Sequence, residues 1–165
     1  MKAIVCKKLG PPELLSLEEL PDLKPKANEV CIRVHAAGVN FPDTLIIEGR
    51  YQLKAEPPFT PGSEVAGEVL SVGDKIRHLR PGDRVAALVP FGGFAEQVCA
   101  PGESVMPIPR ELEYTHAAVF PMIYGTTLHA LTQRGNLAEG ETLLVLGAGG
   151  GVGLAAVQIG KLLGA

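Results

Sequence analysis

Gly147-Ala148-Gly149-Gly150-Gly151-Val152-Gly153 is the segment whose residue types point most directly to chemistry. Glycines let a backbone turn sharply and approach a ligand with no side chain between them. An uncharged run at 142–146 precedes the segment, and an apolar-periodic stretch at 154–163 follows it. Strand, glycine turn and helix in that order open a dinucleotide-binding unit. The helix N-terminus there offers free N–H groups and a positive dipole end to a pyrophosphate. A strict G-x-G-x-x-G does not fit, because Val152 stands where its last glycine should be. Gly147-x-x-Gly150-x-x-Gly153 and Ala148-x-Gly150-x-x-Gly153 both fit. The same pattern also describes a glycine-rich turn into a helix with no ligand. The expected cofactor contacts are Gly147, Ala148, Gly150, Gly151, Val152 and Gly153. The uncharged span 142–160 approaches membrane-crossing length, but its central glycines favour a break into strand plus helix.

The elements that must position this turn come in two styles. Residues 1 to about 110 are β-rich. Strand candidates lie at 2–7, 14–20, 64–72, 84–89, 94–99 and 104–108, punctuated by Gly and Pro. Val30, Ile32 and Val34 alternate with Cys31, Arg33 and His35, the period of a half-buried strand. A short helix is expected at 42–47, with Pro42 near its start and Asp43 as a structural charge in its first turn. Many short strands at this spacing suggest a barrel or sandwich. After Pro109 the pattern turns helical, at 114–119 and 123–133, with Pro121 expected to separate the two. The plan is α+β and mainly β. It comprises a first domain at 1–110 and a second at 111–165, which holds linking helices and the first βα unit of an incomplete cofactor domain.

Composition narrows the function. The chain has 165 residues and a net charge of −3, with no basic stripe or aromatic platform for nucleic acid. The apolar run at its start is too short for a signal peptide. Three widely spaced cysteines do not suggest a disulfide framework, so a reducing cytoplasm is the expected location.

Several segments, in order, resemble the quinone oxidoreductase branch of the medium-chain dehydrogenase/reductase superfamily. They are Ala37-Gly38-Val39-Asn40-Phe41-Pro42-Asp43, Pro61-Gly62-Ser63-Glu64-Val65-Ala66-Gly67, Gly73, and Arg80-Pro81-Gly82-Asp83-Arg84-Val85. Gly125-Thr126-Thr127-Leu128-His129-Ala130-Leu131 and the glycine turn complete the set. The resemblance implies a GroES-like β-barrel catalytic domain and a Rossmann-type cofactor domain, with the active site in the cleft between them. It implies NADPH as cofactor, with NADH open, and a quinone or an α,β-unsaturated carbonyl as substrate.

The resemblance also implies a zinc-free enzyme. Zinc-dependent relatives place a histidine where this chain has Ser63, a poor zinc ligand, and Asn40, Phe41 and Pro42 supply no thiolate or imidazole. Cys31 and His35 fall on one strand face but read as ordinary strand residues. Without zinc, hydride transfer needs positioning, and a donor or water at the oxygen that gains charge. Asn40 is the first candidate near the nicotinamide ribose, since an amide both donates and accepts. As a turn residue it would instead cap the helix that follows. Tyr51 is the candidate for the substrate carbonyl, against a plain role as a half-buried rim aromatic. Thr126 matches a family threonine at the nicotinamide end. Leu128 departs from the tyrosine of many relatives, and Gly149 from their Ala or Ser.

Other readings stay open. The chain could be a non-catalytic β-barrel module or fragment, or part of an acyl-thioester enoyl reductase. A single βα unit cannot close a parallel sheet. The segment at 143–146 is therefore expected to have an unpaired edge, and the helix at 153–163 an uncovered apolar face. The adenine pocket is expected beyond Ala165. A full-length form would be a homodimer, with no nucleic-acid or membrane partner.

Overall fold

The computed structural model describes all residues, 1–165, as two compact units, Met1–Val119 and Phe120–Ala165. The first is built on a curled antiparallel sheet. β3 (Glu29–Gly38), β4 (Glu64–Val72), β5 (Arg84–Leu88), β6 (Gln97–Pro101) and β7 (Val105–Pro107) pair in the order β6-β3-β4-β5-β7. β1 (Lys2–Cys6) and β2 (Leu15–Glu19) form a separate two-stranded ladder. That ladder is tied to the rest by the bridges Ala3↔Ala95 and Cys6↔Phe59.

Alternation explains the core. Val30, Ile32, Val65, Val69, Val85 and Val98 point to one face and are all but inaccessible. Burying branched side chains of this size is worth about 2 kcal/mol each, which makes this face the main source of stability. The other face is thinner. Ala66 and Ala86 meet Ala117 and Ala118 of α2 (Tyr114–Phe120), small residues that let the helix lie close to the sheet.

Arg84 secures the chain leading into that helix. Its guanidinium donates to the carbonyls of Pro109, Arg110 and Leu112 and lies 4.4 Å from the Tyr114 ring centroid. Tyr114 in turn stacks on His35 at 4.5 Å.

Two expectations about β3 and Pro121 need correction. Cys31 does not face solvent as simple alternation requires. It is buried, and its thiol points to the Leu23 carbonyl of the segment lying over that face. Pro121 does not separate two helices. Phe120 keeps helical angles (φ −71, ψ −45), and the chain continues through Pro121–Gly125, α3 (Thr126–Leu128) and His129–Arg134. The segments on either side of α3 adopt the wider i→i+5 winding. A proline at the start of such a segment gives up a donor that the ladder no longer needs in the α register.

The second unit ends in α4 (Gly151–Leu162), preceded by the glycine turn. The strand expected at 142–146 forms no ladder. An extended segment becomes a strand only by pairing, and none of the seven strands pairs with it. Leu144 and Leu146 are 82% and 87% exposed, and Leu162 is 85% exposed. Only Ala155, Ile159 and Gly160 of α4 are buried. No helix is long and apolar enough to cross a membrane.

Candidate active site

The polar residues of the first unit converge where β3 ends, α1 (Phe41–Ile47) begins and β4 starts. Asn40 is the N-cap of α1, with extended angles (φ −121, ψ 155). Its backbone N–H donates to Asp43 Oδ2 at 2.8 Å, so the third residue of the helix satisfies the cap's own amide. The Asn40 side chain closes the capping box toward the Asp43 backbone N–H, and its Nδ2 donates to Glu64 Oε1 at 2.8 Å, which leaves one N–H and a second lone pair of the amide oxygen uncommitted.

Glu64 is a residue that sequence reasoning passes over as the first position of a strand. It has no exposed surface. It sits directly across the ladder from Gly38, and a Cβ on Gly38 would lie 2.8 Å from the Glu64 Cδ. Glycine at that position makes room for the carboxylate. A charge at the start of a largely apolar strand is the available signal, since burial of an unpaired carboxylate is costly and demands a partner.

Asp43 is likewise buried, and Ser63 Oγ donates to its Oδ1 at 3.2 Å. Burial pushes the Asp43 carboxyl above its ordinary range, more than the Asn40 amide and the Ser63 hydroxyl pull it down. Asp43 is thus more than a first-turn charge: it joins the cap to the start of β4. No three His, Cys, Asp or Glu side chains gather closely enough to hold a metal ion. His35, which shares a strand with Cys31, is engaged by the Tyr114 ring.

Tyr51 lies in the bend after α1, half-buried. Its hydroxyl has no hydrogen-bond partner within the chain and is not brought into contact with Asn40.

In the second unit, Gly147 has φ +73, the left-handed region that favours glycine. Gly150 is the N-cap of α4, and its N–H donates to Gly147 O at 3.1 Å. A Cβ on Gly153 would lie 2.8 Å from Ala148 Cα, so only glycine lets the turn fold onto the helix. This geometry favours the Gly147–Gly150–Gly153 spacing over the one that starts at Ala148. Beside Gly149 there is open space, with nothing within 4 Å of an added Cβ. The first helical bond runs from the Leu154 N–H to Gly150 O at 2.8 Å. The amides of Gly151, Val152 and Gly153 precede it and have no carbonyl of the helix to bond.

Thr126 is exposed, whereas its neighbour Thr127 is buried. Thr127 Oγ1 lies 2.7 Å from Ile123 O and 3.4 Å from Val152 O, so it links the preceding turn to the start of α4. The paired threonines carry no sequence signal to tell which one faces inward.

Residues 26–110 match the alcohol dehydrogenase GroES-like domain. The chain belongs to that family. It is 40% identical to the quinone oxidoreductase of Mus musculus over 99% of its own length and 50% of the mouse protein. The solved quinone oxidoreductase of Thermus thermophilus, described with its NADPH complex, superposes with TM-score 0.87 at 41% identity. That match covers 99% of this chain and 51% of the other. The human synaptic vesicle membrane protein VAT-1 homolog-like structure superposes with TM-score 0.96 at 37% identity, over 99% and 53%. The GroES-like chain thus spans about half the length of the relatives it matches, corresponding to their N-terminal half.

Proposed function

We propose that this chain is the N-terminal half of an NAD(P)H-dependent, zinc-free reductase that transfers hydride to quinones or α,β-unsaturated carbonyls. The observation that carries the reading is the glycine turn. Gly147 is left-handed, Gly153 is packed beneath it, and open space lies beside Gly149, so the backbone fits a pyrophosphate approaching the N-terminus of α4. Residues 1–110 act as the catalytic domain, and 111–165 as the beginning of the cofactor domain.

When bound, the nicotinamide supplies the hydride. The chain's own residues bind and orient. The amides of Gly151, Val152 and Gly153 receive the pyrophosphate, with Gly147, Ala148 and Gly150 shaping the turn. Asn40, its amide nitrogen steadied by Glu64, offers its carbonyl oxygen to a ribose hydroxyl. Tyr51 donates its free hydroxyl to the substrate oxygen as that atom gains charge. Thr126, exposed ahead of α4, contacts the nicotinamide end. Ser63, bonded to Asp43, has a structural task and ligates nothing. The full-length enzyme works in the cytoplasm as a homodimer on small molecules, and NADPH is its first cofactor candidate.

The experiment is a titration of NADPH and NADH against a chain extended past Ala165 to the length of the relatives, followed by nicotinamide fluorescence. Turnover with quinones and enones comes next. Saturable binding and quinone-dependent cofactor oxidation are expected. Absence of binding at millimolar cofactor would overturn the proposal.

A further inference from the structure

Cys31 and Cys99 are direct partners in the β3–β6 ladder. The Val34 N–H bonds to Glu96 O, which makes Val34/Glu96 a hydrogen-bonded position. Counting along the ladder, Arg33/Gln97 is open, Ile32/Val98 is bonded and Cys31/Cys99 is open again. At an open position the two Cα atoms stand about 4.5 Å apart, with their side chains side by side on one face. That distance falls within the range a disulfide spans. The third cysteine, Cys6, lies in a different ladder, where its thiol donates to Lys8 O.

We propose that Cys31 and Cys99 form a reversible cross-strand disulfide, a modification site whose oxidant is a small-molecule disulfide. The two thiols differ in access. Cys31 is 1% exposed and lies beneath Leu23, whereas Cys99 is partly exposed on the edge strand β6. Cys99 therefore exchanges first. Its thiolate attacks one sulfur of R–S–S–R; a Cys99–S–S–R bond forms and RS⁻ leaves, to be protonated. The Cys31 thiolate then attacks the Cys99 sulfur, the Cys31–Cys99 bond forms, and the second RS⁻ leaves. Two protein thiols are oxidised and one small disulfide is reduced to two thiols.

The surroundings favour the closing step. Ser71 stands opposite Cys31 on β4; in the mixed disulfide Cys99 has no thiol hydrogen left to give, and the Ser71 hydrogen bond remains to favour the Cys31 thiolate. Before exchange the Cys99 thiol donates to Cys31 and is held well above the ordinary thiol range, so access rather than acidity selects Cys99 for the first step, and its proton passes to solvent as it attacks. Closure staples the edge strand β6 to β3 and leaves the register unchanged. The wide sequence spacing of the cysteines suggests no disulfide framework. The ladder brings two of them together.

The test incubates the folded 165-residue chain with oxidised glutathione, alkylates the remaining thiols and maps the peptides by mass spectrometry. The expected product carries one free thiol, on Cys6, a Cys31–Cys99 link and no glutathione; dithiothreitol restores all three thiols. C31S should retain glutathione on Cys99, and C6S should behave as the parent. A glutathione adduct persisting on Cys99 of the parent, a link to Cys6 or between chains, a link that forms only in urea, or three free thiols would each overturn the proposal.

Discussion

The Asn40 amide nitrogen and Glu64 Oε1 are 2.8 Å apart, and the Glu64 carboxylate is wholly buried. This pair binds the helix that presents Asn40 to the strand that begins at Glu64. Glu64→Ala would leave a cavity and strip Asn40 of its partner, so a loss of about 3 kcal/mol in unfolding free energy is expected. Glu64→Gln keeps the volume and an acceptor oxygen, and should cost about 1 kcal/mol. Urea unfolding of both variants checks the order; equal losses would show that charge, not shape and acceptor, is what the site requires.

The glycine turn separates two kinds of glycine. Gly153→Ala drives a methyl group against Ala148 and should destabilise the chain by about 1–3 kcal/mol. Gly149→Ala meets nothing within 4 Å and should leave the unfolding midpoint almost unchanged. In a chain extended past Ala165, Gly149→Ala gives a residue that relatives carry there and should leave NADPH binding little changed, whereas Gly149→Asp should weaken it about tenfold or more, because its carboxylate stands in the space through which the pyrophosphate approaches. Fluorescence titration beside thermal unfolding reads both effects. Unchanged affinity in Gly149→Asp would place the phosphate elsewhere.

What the sequence discloses follows from the range of the interactions involved. The strand at 64–72 coincides with β4, and α1 begins within one residue of expectation, because alternation, Pro42 and Asn40 are local signals. The barrel plan is legible for the same reason. The segment at 142–146 misleads because pairing is not local: its Leu and Val content is strand-like, but no neighbouring strand takes up its backbone groups. Pro121 misleads in a related way, since a helix can absorb a missing donor by widening its winding. Glu64 beneath Gly38 and Cys31 beside Cys99 depend on register, which a single sequence does not display. Asn40, Tyr51 and Thr126 enter through resemblance to a family, and their catalytic and cofactor roles are proposals.

Asp43 supplies a pH signature. Burial raises its carboxyl above the ordinary value, so the folded state holds the proton more tightly than the unfolded state does. That contribution to stability is complete below the unfolded pKa and is lost as pH rises through the raised folded pKa. Asp43→Asn removes the titration. The variant loses some cap strength at every pH, but its stability relative to the parent should improve as pH climbs from the acid side of the carboxylate range to neutrality. Urea midpoints measured across that window check this; a difference independent of pH would mean that Asp43 titrates normally.

Tyr51 allows the sharpest separation of chemistry from folding. Its hydroxyl bonds to nothing in the chain, so Tyr51→Phe removes no intramolecular hydrogen bond and should leave the unfolding midpoint within experimental error. If the hydroxyl donates to the substrate oxygen as charge develops, kcat of the extended enzyme should fall by about 10²-fold with KM little changed. A fall confined to kcat/KM through KM alone would mean that the phenol binds ground state and transition state alike. Unaltered kinetics would reduce Tyr51 to a rim aromatic and leave water as the donor to the oxygen. Asn40→Ala is the contrasting variant, because it also strips Glu64 of a partner and must therefore lower both stability and turnover. Of these two, the tyrosine variant alone can lose activity with the fold intact.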